Sequence, residues 1–102
     1  MIYFQEMLMK AAVSNEQRAE YTRRRAEWKP PATVKILAEY MVPTGANKVV
    51  IIYETSDIWD IGAMRVPWLD YFNVDVFPAI SMEEVIKMAP NVSRFMGVRG
   101  ET

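Results

Sequence analysis

The run from Lys48 to Glu54, Lys-Val-Val-Ile-Ile-Tyr-Glu, constrains the fold more than any other part of the chain. Its β-branched side chains predict a strand, and its interior is apolar at both odd and even positions. A strand that is apolar on both sides lies inside a sheet whose two faces are both covered. A chain of 102 residues forms one domain. Its own helices can cover one face of the sheet, so the second face must pack against something else.

Turn and cap signals divide the rest of the chain into alternating strands and helices. The predicted elements are a strand over Ile2–Met9, a helix from Ser14 to Pro30-Pro31, a strand over Thr33–Val42, the strand Lys48–Glu54, a helix from Ser56 or Asp57, a strand over Phe72–Ile80 and a short helix from Ser81. The order β-α-β-β-α-β with one added helix predicts the α+β, ferredoxin-like fold: a four-stranded antiparallel sheet with both main helices on one face. Residues 1–90 form this domain, and residues 91–102 form a C-terminal tail that is mobile or docks on a partner.

Local signals add detail to this plan. Ser14 and Gln17 have the spacing of a capping box. Pro78 indicates an edge strand, because proline cannot donate to a sheet ladder. The short segment 43–47 predicts a hairpin, and Gly62 and Pro67 predict a kink or a 3₁₀ finish after the second helix. The predicted inner faces are Ala19, Thr22 and Ala26 on the first helix, flanked by Tyr21 and Trp28, and Ile58, Ile61, Met64 or Arg65, and Trp68 on the second.

Alternation of side chains assigns each strand residue to one of two faces. The almost wholly apolar set is expected beneath the helices: Tyr3, Gln5, Met7, Met9, Val34, Ile36, Ala38, Tyr40, Val49, Ile51, Tyr53, Phe72, Val74 and Val76. The opposite set mixes apolar and charged residues. Left uncovered, its apolar members would form a large exposed patch. We therefore expect a homodimer in which two copies pack sheet against sheet about a two-fold axis.

Each strand also places one acid on this second face, namely Glu6, Glu39, Glu54 and Asp75. One interpretation is a carboxylate-lined cavity, with Glu6 and Glu39 as candidates for a catalytic base or a cation ligand. The alternative is that these acids lie at strand ends and pair with Lys35, Lys48 or Arg65.

Composition excludes several classes of function. The chain has no cysteine and no histidine, which excludes disulfides, thiol nucleophiles, His-based acid–base catalysis and ordinary zinc sites. A net charge of −1 argues against general nucleic-acid binding. No apolar run approaches the roughly 20 residues of a membrane span, and no basic region marks a signal peptide. We expect a cytoplasmic protein without metal, cofactor, nucleic-acid or membrane partners.

Aromatic residues are the other candidate functional feature. Trp28, Trp59 and Trp68, together with the tyrosines, could stack a planar ligand between sheet and helices or could simply fill the core. The run Arg23-Arg24-Arg25 could bind an anion, but acids on the same helix favour a solvated, salt-bridged surface.

Several short segments carry a resemblance to a known family. They include Phe4 to Glu6, Ile52-Tyr53-Glu54 before Ser56-Asp57, Trp68 with Asp70, and the strand Val74 to Ile80. With these the chain resembles, over about residues 1–85, the proteins grouped as domain of unknown function 3303, within the dimeric α/β-barrel superfamily. That superfamily includes cofactor-free monooxygenases, lactone isomerases and haem enzymes, and the haem branches generally rely on a histidine that is absent here.

The resemblance implies a homodimer that binds a small aromatic or apolar ligand beside the sheet. Analogues of the monooxygenase pocket residues would be Trp28, Trp68, Tyr53, Asn73 and Arg65. Two alternatives stay open: a cofactor-independent monooxygenase or isomerase that acts on an aromatic substrate, and a structural or assembly module.

Overall fold

The computed structural model describes residues 1–43 and 47–88. Its elements are β1 (Ile2–Met9), α1 (Asn15–Glu27), β2 (Lys35–Val42), β3 (Lys48–Glu54), α2 (Trp59–Arg65), a 3₁₀ turn (Val66–Trp68), β4 (Phe72–Ala79) and α3 (Met82–Lys87). The four strands form one sheet in the order β2-β3-β1-β4, with every neighbouring pair antiparallel. This arrangement is consistent with the predicted ferredoxin-like fold, with β1 and β3 in the centre. The predicted tail over residues 91–102 lies outside the described residues.

Several local predictions are confirmed. The hydroxyl of Ser14 accepts a hydrogen bond from the backbone N–H of Gln17, whose side chain accepts one from the backbone of Ser14. Pro78 lies on β4, which is an edge strand. The 3₁₀ turn follows α2 and contains Pro67, which supplies no backbone donor. The helices α1 and α3 begin after their predicted serine caps, whereas α2 begins at Trp59, after Ile58, and not directly after a cap at Ser56 or Asp57 as predicted.

The core lies between one face of the sheet and the two main helices. Tyr21 of α1 packs on Phe72 at a ring distance of 4.7 Å, and Gln5 of β1 bonds the backbone of Met64 in α2. The fully enclosed large side chains of this layer are Trp68, Tyr53, Phe72, Met7, Ile51, Met64 and Gln5. β3 contributes Val49, Ile51 and Tyr53 to the layer, as its alternation predicts.

The predicted inner face of α1 is wrong. Ala19, Thr22 and Ala26 are exposed, and the helix instead buries Tyr21. Tyr21 occupies the inner position because its ring packs edge-on against aromatic side chains of the core, whereas alanine has little apolar surface to bury.

The arginines of α1 also differ from a uniformly solvated surface. Arg24 and Arg25 are only partly exposed, because they reach across to acids on the rest of the molecule. Arg23 matches that expectation, since it is exposed and pairs within the helix with Glu20 and Glu27. Arg24 adds an in-helix pair with Glu20 at 3.7 Å.

The inner face of α2 contains Met64 as predicted, but not Ile58. Ile58 is 70% exposed and its neighbour Trp59 is 84% exposed, whereas Asp60 is buried. One carboxylate oxygen of Asp60 accepts hydrogen bonds from the hydroxyls of Thr33, at 2.5 Å, and Thr55, at 2.6 Å. These bonds join α2 to the segments before β2 and after β3, and they orient the start of the helix so that Ile58 and Trp59 face outward.

A β-bulge changes the predicted faces of β2. Ile36 lies opposite Tyr53, but Ala38 lies opposite Ile52, so Leu37 is an extra residue on the strand. Beyond this point the alternation is inverted. Glu39 therefore lies on the helix side, and Tyr40 lies on the second face, which corrects the prediction for both residues.

The second face, here called the open face, is covered by no described element. The strand register arranges its side chains in rows that cross β2, β3, β1 and β4. The terminal row is Lys35, Glu54, Ile2 and Ala79; the apolar row is Ala38, Ile52, Phe4 and Phe77; the acidic row is Tyr40, Val50, Glu6 and Asp75; and the distal row is Val42, Lys48, Leu8 and Asn73. Phe77 is 51% exposed and Tyr40 is 67% exposed. One of the two central rows is thus wholly apolar, and no described element covers it.

The two hydrogen bonds that Asp60 accepts predict that this residue contributes to the stability of the fold. Replacing Asp60 by alanine leaves the hydroxyls of Thr33 and Thr55 without their acceptor, and we expect the free energy of unfolding to fall by about 2–3 kcal/mol. Urea denaturation measures the change. The control Glu83→Ala removes an exposed acid paired only with Lys87 and should change stability by less than about 0.5 kcal/mol. Equal effects of the two substitutions would contradict the structural role of Asp60.

Candidate functional site

A cluster of aromatic side chains fills the layer between the sheet and the helices. The ring of Trp68 lies 5.4 Å from Tyr21 and 5.2 Å from Trp28, both edge-on, and Tyr3 lies 5.6 Å from Tyr53. Trp28, the residue that ends α1, is partly exposed, whereas Trp68 and Tyr53 are enclosed. The cluster therefore has a buried floor and one wall that reaches the surface.

Three polar atoms in this layer are buried without a hydrogen-bond partner among the described residues: Gln5 Oε1, the Tyr53 hydroxyl and Trp68 Nε1. Buried polar groups are nearly always paired, so each such atom requires an explanation. Together they comprise an acceptor, a group that donates or accepts, and a donor. An aromatic layer with this set of groups could bind a planar molecule that carries polar substituents.

The strand register and one hydrogen bond relate these three groups to one another. Gln5 and Tyr53 are diagonal neighbours on β1 and β3, because Tyr3 lies opposite Tyr53. Gln5 Nε2 donates to the carbonyl of Met64 at 2.8 Å, which fixes the amide and directs its oxygen away from that carbonyl. Trp68 follows Met64 by one helical turn. Gln5 was not predicted as a site residue, although it is the one polar member of the set predicted beneath the helices.

Burial raises the pKa of two tyrosines in the layer. The pKa of Tyr53 rises to about 12, chiefly because burial disfavours the phenolate, with Tyr3 adding to the effect. The pKa of Tyr21 also rises to about 12, chiefly through burial and secondarily through the charge of Glu39. Both hydroxyls are therefore neutral hydrogen-bonding groups at neutral pH.

The other predicted ligand residues are divided between the two sides of the sheet. Arg65 of α2 lies on the helix side and donates to the carbonyl of Val74 at 3.3 Å. Asn73 lies in the distal row of the open face. The structure thus brings Trp28, Trp68, Tyr53 and Arg65 to one layer and separates Asn73 from them.

The two predicted carboxylate bases are both paired with cations. Glu39, on the helix side, accepts two hydrogen bonds from Arg25, at 2.5 and 2.7 Å. Glu6, on the open face, lies 3.5 Å from Lys48. Neither acid is therefore a free base, and the monooxygenase or isomerase alternative has no support from these two residues.

A further ion pair that was not predicted closes one side of the aromatic cluster. Arg24 donates to both carboxylate oxygens of Asp70 at 3.0 Å and to the carbonyl of Pro67 at 2.7 Å. Its guanidinium also lies 5.0 Å above the ring of Tyr71. The hydrogen bonds from Arg24 lower the pKa of Asp70. This contact holds α1 against the segment that carries Trp68.

Three clefts on the described surface lie away from the aromatic cluster. One of about 350 Å³ adjoins Thr33 and Thr55, one of about 230 Å³ adjoins Ile2 and Ser81, and one of about 580 Å³ adjoins Trp59. None of the three is lined by the predicted ligand residues. Within residues 1–43 and 47–88 there is also no group of three or more acids placed to hold a metal ion.

A comparison with known protein families shows which family the chain belongs to. The model of the family described as domain of unknown function (DUF3303) matches residues 1–93. The chain belongs to this family. The match spans all described elements, from β1 to α3, so the family resemblance seen in the sequence is confirmed. No curated protein matches the chain. Among the described helices, none is both long and apolar enough to cross a membrane.

The raised pKa values of Tyr21 and Tyr53 make a prediction about alkaline pH. An unfolded tyrosine ionises near pH 10.0, whereas these two stay neutral in the folded state until about pH 12. Their contribution to stability is therefore complete below pH 10 and is lost as the pH rises toward 12. We expect unfolding free energies measured by urea denaturation to fall over this interval. Tyr21→Phe and Tyr53→Phe should each flatten the decline, and an unchanged slope in both variants would contradict the assignment.

Proposed function

We propose that this member of the DUF3303 family is a homodimer that binds a small aromatic ligand between the sheet and the helices of each protomer. The observation that carries the ligand proposal is the set of three unpaired polar atoms, on Gln5, Tyr53 and Trp68, inside an aromatic layer. A ligand that satisfied all three would recover hydrogen bonds that these groups lose on burial. Phenols, quinones and flavins combine a planar ring with polar atoms at its edge and fit this chemistry.

Trp28 provides a route into the layer. Its ring is partly exposed and packs directly on the enclosed ring of Trp68. Rotation of the Trp28 side chain toward solvent would uncover Trp68 without moving any strand of the sheet. Arg25, whose guanidinium lies 5.3 Å from the Trp28 ring, would steady that side chain in the closed position.

The open face supports the homodimer. Four strands spaced about 4.8 Å apart, each about 26 Å long, give a face of about 19 Å by 26 Å. Two such faces packed together bury on the order of 1,000 Å² in total, which is at the lower end of the areas buried in specific protein–protein interfaces. The apolar row crosses the whole face, from Ala38 on β2 to Phe77 on β4. A second copy offers the same apolar row and so matches it in both size and chemistry.

Ligand screening tests the first half of the proposal. Thermal shift measurements against phenols, quinones and flavins should find a ligand that raises the melting temperature. A ligand at a hundred times its Kd adds about 2.7 kcal/mol of stability, which for a domain of this size raises the melting temperature by roughly 10 °C or more. Tyr53→Phe should weaken that ligand about tenfold through loss of one hydrogen bond.

The matched control is Tyr71→Phe, which removes the same atom from a partly buried ring at the edge of the core, beneath Arg24. The Tyr71 hydroxyl is not one of the three unpaired atoms. This variant should bind the ligand as the unaltered protein does. A flat response across all three compound classes would contradict the ligand proposal.

Sedimentation equilibrium tests the second half. The unaltered chain of 11.8 kDa should sediment at micromolar concentration as a species of about twice that mass. Phe4→Asp places a charge in the middle of the apolar row, where a dimer would bury it unpaired, and it should yield a folded monomer. Circular dichroism checks that the variant keeps its fold.

A second candidate function, an assembly module, is favoured by two exposed apolar residues, Ile58 just before α2 and Trp59 at its start. The variant Trp59→Ser distinguishes the two candidates in the same sedimentation experiment. It should leave the dimer intact if the open face is the interface. Dissociation by Trp59→Ser but not by Phe4→Asp would instead assign self-association to the surface of α2.

A further inference from the structure

The arrangement of rows on the open face restricts how two copies can pack, and the following inference rests on the proposed homodimer. Two identical sheets packed face to face are related by a two-fold axis that lies between them. Because packed sheets keep their strands nearly aligned, the axis runs either along the strands or across them. These two choices bring different rows into contact.

An axis across the strands keeps each strand opposite its own copy and inverts the order of the rows. With the axis through the centre of the face, which gives the largest overlap of the two sheets, the apolar row of one protomer lies on the acidic row of the other. Phe4 would face Glu6, which keeps its ion pair with Lys48. Phe77 would face Asp75, and that acid would lose water without gaining a hydrogen-bond donor. Burial of an unpaired charge against an apolar side chain is strongly unfavourable.

An axis along the strands keeps each row opposite its own copy and exchanges the edge strands. The apolar row then packs on the apolar row, with Phe4 facing the partner subunit's Ile52. The edge strand β2 of each protomer faces the edge strand β4 of its partner, so these two exposed strand edges lie next to each other. In the acidic row, Asp75 faces Tyr40 of the partner subunit.

The contact between Asp75 and the partner's Tyr40 joins two side chains for which the described residues supply no partner. Asp75 is exposed on the open face opposite Glu6, and the ion pairs of the described residues do not include it. Lys48, the nearby cation, pairs with Glu6 instead. Tyr40 is 67% exposed on the opposite edge of the same row. A phenolic hydroxyl is a suitable donor to a carboxylate in an interface.

We infer that the homodimer packs about an axis along the strands and that the Tyr40 hydroxyl of each protomer donates to Asp75 of the partner subunit. The apolar row supplies the contact area, and the paired edges fix the orientation. Because the two-fold axis repeats every contact, each dimer contains this hydrogen bond on both of its edges.

Cross-linking between chosen positions tests the inference. The chain contains no cysteine, so an introduced thiol is the only one present. Mixing Tyr40→Cys chains with Asp75→Cys chains and adding a short bis-maleimide joins positions that face each other across sheets about 10 Å apart. In a homodimer of either variant alone, the two identical thiols lie on opposite edges of the interface, roughly 14 Å apart along the face in addition to the gap between the sheets, which the reagent does not span.

The mixture should give about tenfold more covalent dimer than either variant alone, since only facing positions are within reach. A second pair, Val42→Cys with Asn73→Cys, faces across the distal row and leaves Tyr40 and Asp75 unchanged. It should cross-link equally well. Because the first pair removes the proposed hydrogen bond and the second pair keeps it, the second pair tests the packing geometry independently of that bond.

Cross-linking of Ala38→Cys with Tyr40→Cys would overturn the inference, because these positions meet only when the axis runs across the strands. A stable dimer in which neither the first nor the second pair reacts would overturn it as well, while leaving the homodimer itself intact. A monomer in sedimentation would overturn the homodimer and this inference together.

The hydrogen bond is tested separately by dimer affinity. Tyr40→Phe and Asp75→Asn should each raise the dimer Kd about tenfold, and the double variant should raise it little further. Independent, additive effects of the two substitutions would show that the groups do not meet, and would overturn that part of the inference.

Discussion

The apolar character of the two central strands on both of their faces is the constraint on which the rest of the structure depends. β1 and β3 place Met7, Ile51 and Tyr53 beneath the helices and Phe4 and Ile52 on the open face. At about 25 cal/mol per Å² of apolar area, leaving either side in water is costly. The helices α1 and α2 solve this problem for one face only. The proposed dimer solves it for the other with the surface that the chain already has.

The helix side shows how polar groups are accommodated in a small core. Asp60 is buried but accepts two hydroxyl hydrogen bonds, and Glu39 is paired with Arg25. Gln5 is satisfied at its nitrogen by the carbonyl of Met64 and unpaired at its oxygen. The contrast between the satisfied groups and the unpaired ones distinguishes residues that stabilise the fold from those that could contact a ligand. Arg24, which clamps α1 to Asp70, belongs to the first kind.

Much of the fold could be predicted from the sequence, because strand alternation, caps and prolines are local signals. The features that were missed depend on contacts distant in the chain. A β-bulge after Ile36 inverts the alternation of side chains along β2, and no residue type in that stretch predicts a bulge. The inner face of α2 is set by hydrogen bonds from Thr33 and Thr55 to Asp60, which periodicity alone would assign to solvent. The candidate site shows the same dependence on distant contacts. Its aromatic residues were predicted, but the position of Asn73 on the opposite face of the sheet was not.

Intermolecular nuclear Overhauser effects test the central claim, that a second copy covers the open face, most directly. In a mixture of isotope-labelled and unlabelled chains, filtered spectra detect only contacts between protomers. Packing about an axis along the strands predicts effects between the Phe4 ring and the methyl groups of the partner's Ile52. Absence of intermolecular effects at Phe4, or effects confined to Ile58 and Trp59, would contradict the account.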